Sequence, residues 1–419
     1  MRIGFISLGC SKNLVDTEMM IGYYREKGYE VVSSPQDAEI IVINTCGFIE
    51  TAKQEAIDTI LEMAEYKKNG KCKKLIVTGC LVERYKNDLE KELPEVDLFI
   101  PIRDYDSIFE KLDYMKREIS TGENFAYLKI AEGCSNNCTY CAIPLIRGPY
   151  VSRPIEEIIE EAKKLSERNI KELIVIAQDT TKYGIDLYGK SMLAELLQEL
   201  CKFNFKWIRF LYSYPESITE ELIQVVRNNA KICKYFDIPI QHISNSVLKR
   251  MGRKTTNERI KNIIKTIRKE VPGVVLRTSL IVGFPGETEE DLEELRNFVK
   301  ETKFERLGVF KYSPEDGTPA VKLNGHVDEE TKEKRYNQIM EEQQKASKKN
   351  NEILIGKEIE CMIEDITEDG EYYISRSYRD VPNEDGIVFI RKDKDYKSGD
   401  FTKVDIVEAL EYDLIAREK

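Results

Sequence analysis

The chain has 419 residues, of which 41% are hydrophobic and 33% are charged, and its net charge is -11. This length allows two or three domains with a large core. The acidic balance argues against a surface that binds nucleic acid in general, although it does not exclude a local basic groove. No apolar run in the sequence reaches the length of a transmembrane helix, and no membrane partner is expected.

Met1 leads directly into RIGFISLGC, which has the pattern of a strand and not of a signal peptide. The protein is therefore expected to be cytoplasmic, where thiols stay reduced. Ten cysteines in such a compartment indicate metal or redox chemistry more than disulfides. Four of them belong to no motif and are interpreted as small core residues: Cys72, Cys201, Cys233 and Cys361.

Residues 1 to about 117 alternate between strand and helix patterns. Strands are predicted in RIGFISLGC, EIIVINTCGF, KKLIVTGCLV and VDLFI, with helices near 14–27, 50–68 and 83–92. Apolar runs of strand length that are separated by amphipathic helices predict a parallel sheet with helices on its faces.

Each of the first three predicted strands ends on or beside a cysteine, namely Cys10, Cys46 and Cys80, and each cysteine has a neighbouring glycine. Ligands bind beyond the carboxyl ends of the strands of an open parallel sheet, so the three thiols can converge there. A glycine lets the backbone come close to a bulky ligand. Buried thiols in tight turns are the alternative for any one of them, but the repeated position indicates a shared metal centre.

Residues from about 120 to 350 continue the alternation with longer units. Six strands are predicted, in FAYLKIAEG, ELIVIAQD, WIRFLYSYP, YFDIPIQH, VVLRTSLIVGF and RLGVFKYS. Six such units predict a (β/α)6 partial TIM barrel. A long polar helix over about 328–350 is predicted to end this region.

Residues 352–419 have the pattern of short strands joined by turns, which predicts a small antiparallel β-barrel. They contain 10 Lys and Arg but 19 Asp and Glu, so they carry a charge of -9 out of the total of -11. The predicted fold class is therefore multidomain α/β, with domains over 1–117, 120–350 and 352–419.

The stretch GCSNNCTYC follows the first of the six strands and carries Cys134, Cys138 and Cys141. Zinc is one interpretation of three closely spaced thiols, but a structural zinc site uses four ligands. The chain has only two histidines, and both are distant in sequence. A cubane cluster held by three thiolates would leave one iron open for a cofactor.

The C-x3-C-x2-C spacing, with the aromatic Tyr140 before the last cysteine, resembles the signature of radical S-adenosylmethionine (SAM) enzymes. Together with IVGFPGET at 281–288 and FKYSPEDGTPA at 310–320, it is similar to the methylthiotransferases of that superfamily. The resemblance covers the whole chain in the expected order.

This resemblance implies two 4Fe–4S clusters, one on the C-x3-C-x2-C triplet and a second on the three separated N-terminal cysteines. It also implies that SAM binds the open iron of the first cluster, where one electron releases a 5′-deoxyadenosyl radical. An electron donor such as flavodoxin or ferredoxin is implied too, and residues 352–419 correspond to a TRAM domain.

Three residues are predicted to contact SAM, namely Tyr140, Gln178 and Asp179. Tyr140 belongs to the cysteine motif. Gln178 and Asp179 end the second barrel strand, where they can contact the ribose or the amino acid part of the cofactor. A helix cap at that turn is the alternative for this pair.

Members of the family modify either a tRNA adenosine or the β-carbon of an aspartate in the small-subunit ribosomal protein S-twelve. SLGCSKNLVDTE at 7–18 is similar to the protein-modifying branch, although Ser11 stands where proline is commoner. The acidity of 352–419 suits a basic protein better than tRNA, whose phosphates need Lys and Arg. Methylthiolation of an aspartate is therefore predicted. One alternative is another enzymatic reaction, the methylthiolation of a tRNA adenosine. The second alternative is a metal-stabilised binding module.

Overall fold

The computed structural model describes residues 1–109 and 112–418. These residues form a parallel sheet with helices, a partial barrel of six parallel strands and a closed barrel of five strands. The predicted multidomain α/β fold class is therefore confirmed. No helix in the described ranges has both the length and the apolar character needed to cross a membrane.

The first sheet is parallel, with the strand order β2-β1-β3-β4-β5. Its strands are β1 (Arg2–Ser7), β2 (Glu30–Val32), β3 (Ile40–Thr45), β4 (Lys74–Gly79) and β5 (Leu98–Ile100), and its helices are α1 (Ser11–Glu26), α2 (Glu50–Asn69), α3 (Cys80–Glu92) and α4 (Tyr105–Ile108). The central strand β3 is buried along its whole length, as expected for a strand with helices on both faces. The sequence analysis missed β2 because three residues are too few to show a period.

The partial barrel contains all six of the strands predicted for this region. In chain order its strands are β6 (Phe125–Lys129), β7 (Ala131–Glu132), β8 (Val151–Ser152), β9 (Glu172–Ile176), β10 (Trp207–Phe210), β11 (Tyr235–Asp237), β12 (Val275–Val282) and β13 (Arg306–Lys311). The helices are α5 (Ile143–Arg147), α6 (Ile155–Glu167), α7 (Ile185–Tyr188), α8 (Leu193–Leu200), α9 (Glu220–Asn228), α10 (Asn245–Arg250), α11 (Asn257–Glu270), α12 (Glu289–Thr302) and α13 (Glu329–Glu352). Strands β6, β9 and β10 pair in parallel, as do β11, β12 and β13, while β7 and β8 form a short antiparallel hairpin.

The side chains of the barrel strands alternate between two cores, as the pleat of a strand requires. Leu128 and Phe210 point outward to the surrounding helices, whereas Tyr127 and Trp207 point to the concave side. Residues from both ends of the chain complete the concave core, namely Val15, Met19, Met362 and Val381. Because β6 and β13 do not pair, the barrel stays open, and these outside residues fill it.

The C-terminal barrel is closed, in the order β14-β15-β16-β18-β17. Its strands are β14 (Glu358–Ile366), β15 (Tyr372–Ser377), β16 (Val388–Arg391), β17 (Phe401–Ala409) and β18 (Leu414–Glu418). The expectation of purely antiparallel pairing was wrong for one pair, since β16 and β18 run parallel. The predicted stretch FTKVDIVEALEYDLIA forms two strands, and the second returns beside β16 to close the barrel.

A buried ionic network joins the partial barrel to the C-terminal barrel. The Nε of Arg209 donates to Glu172 at 2.7 Å, and Arg376 of β15 pairs with the other oxygen of the same carboxylate. The Nη1 of Arg209 also donates to the carbonyl of Tyr378 at 2.9 Å. Burial alone would raise the pKa of Glu172, but Arg376 and Arg209 together hold it below its ordinary value. Arg376 also donates to Glu364 at 2.5 Å, so Glu172 is shared by two buried cations but is the only anion paired with Arg209.

The change Glu172→Gln should strongly destabilise the protein, because it leaves the fully buried Arg209 without an anion and leaves Arg376 with Glu364 alone. We expect a loss of about 3–5 kcal/mol in the free energy of unfolding, measured by denaturant titration. The matched control is Glu360→Gln at the same interface, where the carboxylate pairs with the half-exposed Lys206 at 2.9 Å. This control should cost less than about 1 kcal/mol. If both variants lost the same free energy of unfolding, the proposed contribution of the buried network to stability would be wrong.

Candidate active site between two sets of cysteines

The first set of cysteines, which we call the N-terminal set, contains Cys10, Cys46 and Cys80. These residues follow β1, β3 and β4, which are direct neighbours in the first sheet. The loops at this edge come very close, since a Cβ built on Gly9 would lie 2.7 Å from the Cβ of Cys46. Gly9 also has a φ of +85°. The parallel sheet therefore brings the three thiols to one edge.

Within the N-terminal set Cys80 is buried, Cys46 is partly buried and Cys10 is exposed. Burial raises the pKa of Cys80 to about 12 and raises that of Cys46 as well. The Sγ of Cys80 donates to Oδ1 of Asn13 at 3.5 Å, and Nη2 of Arg147 lies 3.9 Å from the same sulfur. A metal that binds such thiols displaces their protons, and the adjacent guanidinium favours the resulting negative charge.

The second set, which we call the loop set, contains Cys134, Cys138 and Cys141 between β7 and α5. The loop starts at Gly133, where a Cβ would lie 2.0 Å from the carbonyl oxygen of Pro149. Its middle is anchored to the barrel, because the N–H of Thr139 donates to the carbonyl of Met251 at 2.9 Å. Burial raises the pKa of Cys141 to about 12. Cys134 and Cys138 are buried and Cys141 is partly buried, so the loop set is more enclosed than the N-terminal set.

Two residues that sequence reasoning missed lie beside Cys138. The Oη of Tyr214 is 3.7 Å from its Sγ, and Nη1 of Arg253 is 3.9 Å from it. The guanidinium of Arg253 also lies over the Tyr214 ring, 4.1 Å from its centroid. Both residues come from loops far away in sequence, and neither belongs to a recognisable motif.

The residue types and their spacing fit an iron–sulfur cluster better than a single ion. In the described ranges, no three Cys, His, Asp or Glu side chains come close enough to share one metal ion. A zinc ion would require that convergence. A cubane does not require it, because each thiolate binds a different iron. A positive guanidinium beside each set, Arg147 or Arg253, suits the negative charge of a thiolate-ligated cluster.

Tyr140 and Gln178 lie near the loop set. The Tyr140 ring packs edge-on against Phe284 of the GFPGET segment, with 6.4 Å between the centroids. The pKa of Tyr140 is raised well above its ordinary value by burial and by the neighbouring Cys138. The Oε1 of Gln178 is buried and accepts no hydrogen bond from any described residue. Gln178 therefore has a free acceptor, as a contact to a polar cofactor requires.

Asp179 forms the cap that the sequence analysis gave as the alternative. Its Oδ1 accepts from the N–H of Thr181 at 3.1 Å, at the start of a short 3-10 helix. Its Oδ2 accepts from Nδ2 of Asn136 at 2.8 Å, and Lys182 donates to the Oδ1 of the same Asn136. Asp179 thus holds the cysteine loop in place, with both of its oxygens already engaged.

Arg147 links the two sets of cysteines. It ends α5, which follows the loop set, and its Nη1 donates to Oδ2 of Asp16 on α1 at 2.8 Å. Its Nη2 donates to Oδ1 of Asn13 at 2.6 Å. The other oxygen of Asp16 accepts from Lys129 of β6 at 2.5 Å. These contacts hold α1, which begins beside Cys10, directly against the cysteine loop.

The segment between Tyr212 and Tyr214 forms a second link. The Tyr214 hydroxyl adjoins the loop set, while the Tyr212 ring lies under the ammonium of Lys12, with Nζ 3.2 Å from its centroid. Tyr212 has a φ of +62°, a left-handed conformation that is uncommon outside glycine. Burial lowers the pKa of Lys12 to about 8. The Tyr212–Tyr214 segment therefore contacts Cys138 of the loop set and Lys12, which stands two residues after Cys10 of the N-terminal set.

Comparisons with known proteins match each part of the chain to a family. Residues 2–101 match the model of the uncharacterized protein family UPF0004, residues 128–299 match the radical SAM superfamily, and residues 355–418 match the TRAM domain. The solved structure of the radical SAM methyltransferase TsrM from Kitasatospora setae, with tryptophan and a SAM analogue bound, has a TM-score of 0.58 at 12% identity. That similarity covers 76% of this chain and 74% of TsrM, and it concerns the fold alone.

Two relatives are similar over nearly their full length. The chain is 57% identical to the ribosomal protein uS12 methylthiotransferase RimO of Alkaliphilus oremlandii, over 99% of this chain and 98% of the relative. It is 52% identical to the protein of the same name from Clostridioides difficile, again over 99% and 98% of the two chains. Since identity and coverage are both high, the chain belongs to the RimO family of radical SAM methylthiotransferases.

Proposed function

We propose that this enzyme installs a methylthio group on the β-carbon of an aspartate in ribosomal protein uS12, the small-subunit protein S-twelve, in the cytoplasm. The full-length similarity to relatives named for uS12 supports the protein as substrate over a tRNA adenosine. The observation that carries the proposal is the position of Arg147, which ends the helix after the loop set and lies 3.9 Å from the Sγ of Cys80 in the N-terminal set. Sulfur insertion at a C–H bond needs a radical source and a sulfur source side by side.

Each set would hold one 4Fe–4S cluster. Three thiolates of the loop set would hold the cluster that binds SAM, and those of the N-terminal set would hold the cluster that supplies the sulfur, while a second SAM molecule would supply the methyl group. When bound, reduced cluster and SAM together supply a 5′-deoxyadenosyl radical, which can remove a hydrogen from an aliphatic carbon that no general base deprotonates at neutral pH. The electron would come from a small carrier such as flavodoxin or ferredoxin.

The residues around the loop set would position SAM and keep water out. Gln178 offers its unpaired carbonyl oxygen to a cofactor N–H or O–H. Tyr140 and Phe284 form an aromatic wall next to the cysteines. Asp179, which the sequence analysis placed directly on the cofactor, would act by holding Asn136 and the loop.

The proposal predicts one methylthio group on one aspartate of uS12. The test is to incubate the anaerobically reconstituted enzyme with SAM, a reductant and either recombinant uS12 or total tRNA, and to analyse both by mass spectrometry. Only uS12 should gain the group. Modification of tRNA without modification of uS12 would overturn the substrate and support the tRNA reaction.

Loss of the loop set should abolish radical formation. After reconstitution the wild-type chain should bind about eight irons, and the triple variant of Cys134, Cys138 and Cys141 to alanine should keep about four. Cleavage of SAM to 5′-deoxyadenosine should disappear in this variant. The matched control replaces Cys72 and Cys201, which lie outside both sets, and should keep all the iron. Cleavage by the loop-set variant would disprove the role of these cysteines.

Loss of the N-terminal set should separate SAM cleavage from sulfur insertion. The triple variant of Cys10, Cys46 and Cys80 to alanine should also keep about four irons, now on the loop set. It should still release 5′-deoxyadenosine, but uS12 should gain no sulfur. A methylthiolated product from this variant would show that the sulfur has another source.

A further inference from the structure

Lys12 is a buried cation near the start of α1. The residue is only 5% exposed to solvent. Its Nζ lies over the ring of Tyr212, 3.2 Å from the ring centroid. Among the described residues, no hydrogen bond or salt bridge to this ammonium is formed. A buried ammonium costs several kcal/mol in lost hydration unless an anion accompanies it. A cation–π contact offsets only part of that cost.

Among the anionic groups that influence Lys12, Cys10 acts most strongly, and Glu384 and Asp237 follow. These two carboxylates are engaged by another cation. Arg277 of β12 pairs with Asp237 at 3.0 Å and with Glu384 of the C-terminal region at 2.6 Å. Both carboxylates influence Lys12 electrostatically, but neither forms a salt bridge with it. Lys12 is therefore buried over an aromatic ring, and no carboxylate of the described residues forms an ion pair with it.

Lys12 is connected to both sets of cysteines, by its position in the chain and by its contact with Tyr212. It stands two residues after Cys10 and lies on Tyr212, which is two residues before Tyr214. The Tyr214 hydroxyl is 3.7 Å from the Sγ of Cys138. The ammonium thus belongs to the helix that begins beside the N-terminal set and contacts a segment that adjoins the loop set. A radical formed at one set and sulfur supplied from the other require the substrate carbon to sit close to both sets.

We propose that Lys12 determines specificity by binding the side-chain carboxylate of the substrate aspartate. This inference rests on the proposed function. The carboxylate is bonded directly to the β-carbon that reacts, so a cation that fixes the carboxylate also fixes that carbon. An asparagine has nearly the same shape but no charge, and it would leave the buried ammonium unpaired. Lys12 would therefore select aspartate over its neutral analogue.

The test compares uS12 with a version whose target aspartate is replaced by asparagine. Their dissociation constants are measured with SAM present for the reconstituted wild-type enzyme and for Lys12→Met, Lys12→Arg and Arg25→Met. Wild type should bind the aspartate form about 30-fold more tightly or better, as expected for a buried charge pair. Lys12→Met should bind both forms alike, whereas Lys12→Arg, which keeps the charge, should retain a preference. Arg25→Met, a half-exposed cation on the same helix, should behave as wild type.

The outcomes separate this inference from the proposed function. If wild type does not modify uS12 at all, the proposed function fails. If it modifies uS12 but shows no preference for aspartate, or if Lys12→Met keeps the preference, Lys12 only offsets the charge of Asp237 and Glu384 and the inference is wrong. Iron content and the unfolding midpoint are measured for every variant, and Lys12→Gln replaces Lys12→Met in the comparison if the methionine variant does not fold.

Discussion

Six parallel strands leave the concave face of the central barrel uncovered, and the apolar side chains on that face must be removed from water. The neighbouring domains do this, with Val15 and Met19 entering from α1 and Met362 from the C-terminal barrel. Burial of apolar surface stabilises this arrangement in proportion to its area. It also determines the architecture of the site, because the helix that fills the barrel begins beside Cys10. The packing that completes the core therefore brings the N-terminal set up to the loop set.

Hydrophobic packing has no direction, and buried ion pairs supply the orientation. Arg147 can reach Asp16 and Asn13 only if α1 has one rotation and one depth in the barrel. Lys129 restricts the same carboxylate from the barrel side. Such pairs contribute little net stability because their desolvation is costly, but a misaligned pair is strongly unfavourable. We interpret them as the contacts that hold the two cysteine sets in register.

The acidic residues of the C-terminal region fall into two groups. One group faces inward, where Asp380 pairs with Arg306 at 2.5 Å and Glu384 pairs with Arg277 at 2.6 Å. These acids dock the domain onto arginines of the partial barrel. They are therefore occupied and add little to an attraction for a basic partner. The remaining acids lie mostly at the surface, and only these support the charge argument for a basic ribosomal protein.

Periodicity and spacing were enough to predict the six barrel strands, the two cysteine sets and the α/β class, because those signals are local. Short or unpatterned pieces were missed, such as β2 and the parallel pairing of β18 with β16. Asp179 could be assigned two roles from the sequence, and the structure shows the cap. Arg147, which is 131 residues from Asp16 in the chain, gave no signal at all. Pairing between distant charges has no period, so only the packing of α1 into the open barrel decides which of them meet, and with them that Arg147 of the helix after the loop set reaches Cys80.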